Sequence, residues 1–363
     1  MSFLKNKIFT RYPIKPFLPV GIIAAVFFLS YHQENLYPSY SDDFGTGARI
    51  LAMGGAGLAT GDDIYSSALN PATLAYLKRG QLAFEYGRLN INLTDESLIA
   101  SGFAGIAWPF IKEEITEHEV AAISSTETVK IKSKITRTLS SAIMFGYKNT
   151  NLAGYFSENT YRLTYARFFG KRLALGVSAK VLSDEFIIDE YLKRSPVFNY
   201  GLKASKNSYT ADAGFIWNPI PRFFVGASVI DLTEPDIGYF LKDNLPATYR
   251  FGIGTRKSDS RYAIDISYRP TSVLKEFELS SGFEKTYRDK LSLRGGFAWN
   301  RTGQGFSGWR ASLGAGFNIS ESITLDYSLI YPLTDLKETY GSHYLSFVFQ
   351  FGSLESSEEL EPG

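Results

Sequence analysis

Residues 309–331 read WRASLGAGFNISESITLDYSLIY, and they spell two strands joined by a tight turn. Trp309, Ala311, Leu313, Ala315 and Phe317 alternate with Arg310, Ser312, Gly314 and Gly316. Beyond Ser320-Glu321, Ile323, Leu325, Tyr327, Leu329 and Tyr331 alternate with Thr324, Asp326 and Ser328. A period of two marks a strand with one apolar face. The pattern recurs upstream. Residues 171–183 put Leu173, Leu175, Val177, Ala179 and Val181 on one face, with Ala174, Gly176, Ser178 and Lys180 on the other. Residues 261–269 put Tyr262, Ile264, Ile266 and Tyr268 opposite Arg261, Asp265 and Arg269.

A soluble sandwich also alternates, but its polar face meets bulk water and carries large charged residues. Here that face is rich in Gly, Ala and Ser with one or two charges per strand, which suits a crowded lumen. The apolar face carries Tyr, Trp and Phe near strand ends, as in the aromatic girdle of a membrane barrel. Aromatic residues make up 15% of the chain, yet mean hydropathy is only −0.10. Alternating lipid-facing and lumen-facing residues average out in this way, whereas membrane helices do not. The reading is all-β: a transmembrane antiparallel barrel of about fourteen strands in the outer membrane of a Gram-negative-type bacterium.

The strands fall near 81–90, 97–109, 137–148, 159–169, 171–183, 207–217, 222–231, 247–257, 260–269, 276–286, 289–299, 309–319, 322–331 and 343–351. Short turns are expected at Phe169-Gly170-Lys171, Asn218-Pro219, Lys257-Ser258-Asp259, Tyr287-Arg288-Asp289 and Ser320-Glu321. Longer connections lie at about 184–206, 232–246, 300–308 and 332–342. Short periplasmic turns and longer outer loops put both ends of the wall on the periplasmic side. Residues 110–136 are long for that side. Glu113, Glu114, Glu117 and Glu119 precede Lys130, Lys132 and Lys134, which suggests a hairpin continuing past the membrane with Glu and Lys opposed. A miscounted strand pair is the rival reading.

The wall would occupy 79–352. Residues 1–41 read as a signal peptide: Lys5, Lys7, Arg11 and Lys15 precede the apolar run Phe17–Ser30. A cleaved signal is preferred to a retained anchor, with small residues at Ser39-Tyr40-Ser41. Residues 42–78 include GARILAMGGAGLATGDDIYSSALNPATLA, from Gly47 to Ala75. Glycine and alanine permit close backbone packing and Asn70-Pro71 is a turn signal, so this stretch suits a compact hatch inside the lumen. Residues 353–363 form an acidic tail, read as a periplasmic extension.

Function classes narrow from there. Lys+Arg number 38 against 37 Asp+Glu, so no basic field attracts nucleic acid. Cysteine is absent, which removes disulfides, thiolate metal sites and a cysteine nucleophile. His32, His118 and His343 are scattered and no serine sits in a nucleophile-elbow context, so neither catalysis, a metal site nor a cofactor is expected. Gly54, Gly55 and Gly57 lack a following Gly-Lys-Ser/Thr, which argues against a phosphate loop. Arg49, Asp62 and Asp63 are expected to pair with inward charges and hold the hatch. The candidates are Lys180, Asp212, Arg250, Asp265, Arg294, Arg310 and Asp326, since a buried charge needs a partner. With Gly54, Gly55, Asn70 and Pro71, these hatch residues would gate a solute path if one exists. The aromatic final strand suits recognition by the barrel-assembly machinery.

Gly47-Ala48-Arg49, Met53-Gly54-Gly55-Ala56, Asp62-Asp63 and Asn70-Pro71-Ala72 resemble the N-terminal signature of the PorV/PorQ proteins, within the FadL-like outer-membrane barrels. Tyr165-Ala166-Arg167, Leu175-Gly176-Val177, Lys180, Asp212 to Gly214 and Leu245-Pro246 to Gly252 are also similar. The resemblance implies fourteen strands with an internal hatch and two activities. One is passive passage of hydrophobic small molecules. The other is a PorV-type scaffold for type IX-like secretion and surface attachment, with 184–206 and 232–246 as contact loops. Expected partners are outer-membrane lipid, the assembly machinery, and a hydrophobic small molecule or a secreted protein cargo. The modest outer loops depart from the transporter pattern.

Overall fold

The computed structural model describes residues 47–94, 96–118, 132–152, 156–186, 205–238, 242–270, 275–302, 307–334, 336, 338–352 and 361–362. The signal-peptide reading, most of the 184–206 loop and most of the acidic tail lie outside these residues.

The wall consists of β1 (Gly80–Leu89), β2 (Ile99–His118), β3 (Lys132–Leu152), β4 (Phe156–Phe169), β5 (Leu173–Phe186), β6 (Ser205–Ile220) and β7 (Phe223–Ile230). It continues through β8 (Thr248–Arg256), β9 (Ser260–Pro270), β10 (Lys275–Tyr287), β11 (Leu291–Thr302), β12 (Ser307–Ser320), β13 (Ile323–Pro332) and β14 (Ser342–Phe351). Each strand pairs antiparallel with its chain neighbours, and β1 pairs with β14 from Gly80↔Phe351 to Arg88↔His343. The sheet is therefore closed, and closure removes the edges that could not be satisfied in lipid. Among the described residues no helix is long and apolar enough to cross a membrane.

The alternation decides which face is which. Val177 is 56% exposed while its neighbour Ser178 is 3% exposed, and Leu313 at 65% stands beside Ser312 at 3%. The outward face is an apolar band, and Lys180, Asp212, Asp265, Arg294 and Asp326 are buried on the inward face. A charge facing mid-bilayer lipid costs about 2–4 kcal/mol for Arg or Lys, so the wall turns its charges inward.

Tight turns join β4 to β5, β6 to β7, β8 to β9, β10 to β11 and β12 to β13, on the rim where β1 begins and β14 ends. In barrels of this kind the short-turn rim lies on the periplasmic side. One turn departs from the sequence reading. Asn218-Pro219 is not the turn; β6 runs on to Ile220, and the chain reverses at Pro221-Arg222. Asn218 and Pro219 form an irregularity in the ladder between Trp217 and Ile220, where the Asn218 side chain donates to the Phe223 carbonyl at 2.8 Å. Proline cannot donate to a ladder, and the bulge accommodates it.

β2 and β3 are the longest strands, with 20 and 21 residues. β2 pairs with β1 only as far as Ala107, and β3 with β4 only from Ser141, so the remainder is a ribbon of these two strands beyond the short-turn rim, flanked only by Glu361-Pro362, which pair parallel with Thr138-Leu139 among the described residues. The continuing hairpin is thus present, with a register shift at Phe110/Ile111. Among the described residues its expected Glu–Lys opposition is not. Glu113 faces Arg137, but Glu114 faces Thr136, Glu117 faces Ser133, and Lys134 and Lys132 face Thr116 and His118. The shifted register moves the two charge runs past each other. Its tip, residues 119–131, lies outside the described residues.

Candidate functional site: the lumen and the segment within it

Residues 47–77 run along the inward faces of the wall as a short helix α1 (Ala48–Ala52) and two 3-10 turns, Tyr65–Ala68 and Pro71–Tyr76. No charge or aromatic ring would let a backbone come this close; small residues do. A Cβ on Gly282 or Gly296 would collide with the Met53 backbone, and one on Gly176 with Pro71-Ala72. Gly54 has φ +72°, and a Cβ there would sit 2.7 Å from the Phe297 nitrogen. The glycine is required twice over, by conformation and by space.

Asn70 does more than turn the chain. It caps the second 3-10 turn, with its Oδ1 accepting from Ala72 N at 3.0 Å and Pro71 filling the first helical position. Its Nδ2 donates to the Leu58 carbonyl at 3.2 Å and to the Phe215 carbonyl on β6 at 3.0 Å. One side chain thus joins two parts of the segment to the wall. Asp63, just before the first turn, accepts from Ser66 N at 2.9 Å.

The segment meets the wall along two kinds of surface. On β1–β7, Tyr65, Leu69, Leu74, Tyr76 and Leu77 pack with Ala107, Met144, Ala166, Phe168, Ile216 and Phe224. Tyr76 meets the rings of Phe168 and Phe224 edge-on, with centroids 4.9 and 5.8 Å apart. On β8–β13 the contact is mainly ionic, beside smaller apolar contacts of Met53 and Ala56 with Ala263 and of Ala48 and Leu51 with Ile330. Arg49 grips Glu284 at 2.6 Å and reaches Asp62 at 3.0 Å and Asp63 at 3.2 Å. Arg261 holds Asp62 at 2.9 Å, and Arg256 lies 3.6 Å from the same carboxylate. Arg294 bridges Glu284 at 2.7 Å and Asp326 at 2.6 Å. The cluster therefore sets four arginines (Arg49, Arg256, Arg261, Arg294) against four carboxylates (Asp62, Asp63, Glu284, Asp326) and is neutral. Burial alone would raise the Asp62 carboxyl, but Arg261, Arg49 and Arg256 hold it well below the ordinary carboxylate range.

Wall side chains also catch orphan backbone groups of the segment. Asp265 accepts from Gly57 N at 2.7 Å and Leu58 N at 2.8 Å, and Glu85 accepts from Gly47 N at 2.7 Å. Gln81 accepts from Ile64 N at 2.9 Å, Ser346 from Ala48 N at 3.0 Å, and Ser228 donates to the Leu69 carbonyl at 2.7 Å. A buried backbone group without a partner is costly, so these contacts fix the segment's place as much as its strength.

The inward residues read from the sequence fall into three sets. Arg294, Asp326 and Asp265 touch the segment or its ion cluster. Lys180 and Asp212 pair at 2.7 Å and Lys180 also meets Asp231 at 2.6 Å, in a separate group nearer the long loops. Arg310 pairs with Glu278 at 2.7 Å, and Arg250 lies on β8 between Tyr249 and Phe251. The direct partners of Arg49 and Asp62 differ from the expected ones: they are Glu284, Arg261 and Arg256. Glu284 follows the outward Phe283, so alternation places it inward; what sequence lacks is which inward residues share a height in the lumen. Among the described residues no group of three or more His, Asp or Glu could hold a metal ion.

Residues 120–349 match the sequence profile of the family described as type IX secretion system membrane protein PorP/SprF, which is more than half of the chain. No curated protein sequence matches. Among solved structures, the CymD monoaromatic hydrocarbon channel is similar at a TM-score of 0.58 with 14% identity, over 85% of this chain and 98% of that one. A Pseudomonas aeruginosa FadL homologue gives 0.52 with 14% identity over 85% and 98%, and the Ralstonia pickettii toluene transporter TbuX gives 0.52 with 12% identity over 85% and 99%. At these identities the likeness establishes the fold, a FadL-like barrel.

Proposed function

We propose that this chain, which belongs to the PorP/SprF family of type IX secretion system membrane proteins, is a sealed barrel that serves protein secretion as a binding platform. The observation that carries this reading is the way residues 47–77 are held. A neutral ion cluster fixes one side, an apolar interface fixes the other, and hydrogen bonds from β1, β7, β9 and β14 tie down the backbone while Asn70 donates to β6. Removing one member of a buried ion group costs about 3–5 kcal/mol, so displacing the whole segment has a steep cost. A lumen filled this way favours a wall whose loops and turns do the binding. The PorV/PorQ-type reading, in which the barrel carries secreted cargo at the outer surface, fits the same arrangement, with 232–246 among the contact loops. No chemical step belongs to this function.

Passage of a hydrophobic small molecule is the second reading. The apolar surface on β1–β7 favours it, because a solute could replace segment side chains there. The polar inward residues nearer the long loops, such as Lys180, Asp212 and Arg310, speak against an apolar path from outside.

The test is a pair of assays on the wild-type protein. In planar bilayers the scaffold reading expects no conductance and no uptake of a monoaromatic hydrocarbon into vesicles. In cells lacking the chain it expects secreted proteins to accumulate in the periplasm. Hydrocarbon flux with normal secretion would reverse the choice.

A further inference from the structure

The periplasmic rim carries a charge pattern that the lumen does not use. Lys171-Arg172 sit in the β4–β5 turn, Arg222 in the β6–β7 turn, Lys257 between β8 and β9, and Arg288 and Lys290 between β10 and β11; all are exposed. The same four turns hold two carboxylates, Asp259 and Asp289, and Asp259 is already paired with Lys285 of β10. On the opposite rim the β7–β8 connection is acidic, holding Glu234, Asp236 and Asp243 against Lys242.

Two of the basic residues occupy positions that resist them. Arg222 has φ +70° and Arg288 has φ +50°, where Asn or Gly closes a turn with less strain. The side chains also stand at a defined depth. Exposed apolar residues end the lipid-facing band directly beside them: Phe169 before Lys171, Ile220 before Arg222, Tyr287 and Leu291 flanking Arg288 and Lys290. Where an aromatic and aliphatic band ends, lipid headgroups begin.

We propose that this rim binds anionic phospholipid headgroups of the periplasmic leaflet. Each Lys or Arg at an anionic surface is attracted to it, and arginine can meet a phosphate with two parallel hydrogen bonds. The cations are spread over turns from β4 to β11 and follow the edge of the apolar band. That distribution suits an annulus of lipid better than one compact protein face. The inference stands independently of the secretion reading.

The test places the purified full chain in nanodiscs of phosphatidylethanolamine with phosphatidylglycerol and counts retained lipids by native mass spectrometry. The comparison protein carries Arg222→Asn, Lys257→Ser, Arg288→Asn and Lys290→Ser. Asparagine accepts positive φ, so the turns still close, and an unchanged heat-modifiable band on gels verifies folding. Wild type is expected to retain phosphatidylglycerol about tenfold over phosphatidylethanolamine, and the variant to retain both nearly equally. Equal retention by wild type, or an unchanged preference in the variant, would overturn the proposal. So would loss of a co-purifying acidic protein from the variant without any lipid preference in wild type.

Discussion

The half of the wall from β1 to β7 and the half from β8 to β13 hold the same segment by different physics. The first buries Leu74, Leu77 and Tyr76 against alanines, Met144 and Phe168. The second pairs Arg49 and Asp62 with Glu284, Arg261 and Arg256. Apolar burial stabilises in proportion to area but tolerates sliding. Buried ion pairs add little net stability, yet they penalise misplacement heavily because a displaced charge loses its partner in a poor solvent. One half supplies adhesion and the other supplies register.

The strongest way to break this division is Glu284→Ala, which leaves Arg49, Arg261 and Arg294 without their common carboxylate. We expect a loss of about 3–5 kcal/mol, seen as a lower unfolding temperature and faster proteolysis near residue 50. Leu74→Ala, on the apolar side, should cost about 2–4 kcal/mol. Proteolysis after that change should stay slow at residue 50, because the ion cluster still sets register; equal cleavage in both variants would erase the distinction. Asn70→Ala removes a cap and the bond to the Phe215 carbonyl, and should cost about 1–2 kcal/mol.

The smallest effect is that of mild acid. Asp62 is held below its ordinary range in the folded chain, so its contribution is complete above the unfolded value and fades only as pH falls through the folded one. The Asp62 carboxylate, followed by its own carbon-13 shift, should therefore stay ionised from about pH 8 to about pH 5, well above an unperturbed aspartate. A midpoint within that window would contradict the assignment of Asp62 as an ion-paired carboxylate.

Much of this was legible in the residues. Alternation in 309–331 placed Arg310 and Asp326 inward, and alternation in 289–299 did so for Arg294, because a barrel wall has only two faces. Asn70-Pro71 was read as a turn and is a helical cap, since an N-cap and a turn start share the same residue types. The Arg49–Glu284 pair was not legible. It joins residues 235 apart and depends on the stagger of strands around the ring, which no local period encodes. The turn at Pro221-Arg222 was missed because Asn218-Pro219 carries the stronger turn signal, while the true turn places an arginine at positive φ. The shifted register of the β2–β3 ribbon likewise turns on one irregularity at Phe110/Ile111.

The central claim is that residues 47–77 are a fixed part of the wall. The chain has no cysteine, so an engineered disulfide stands alone. A Cβ on Gly226 of β7 would lie 3.3 Å from the Ala59 Cβ, within a few tenths of an ångström of the spacing a disulfide needs, which brings segment and wall together at one point. Ala59→Cys with Gly226→Cys, oxidised in cells, should lock them while secretion of cargo proceeds at the wild-type rate. Loss of secretion on oxidation, restored by a reductant, would contradict the account and make the segment a moving gate.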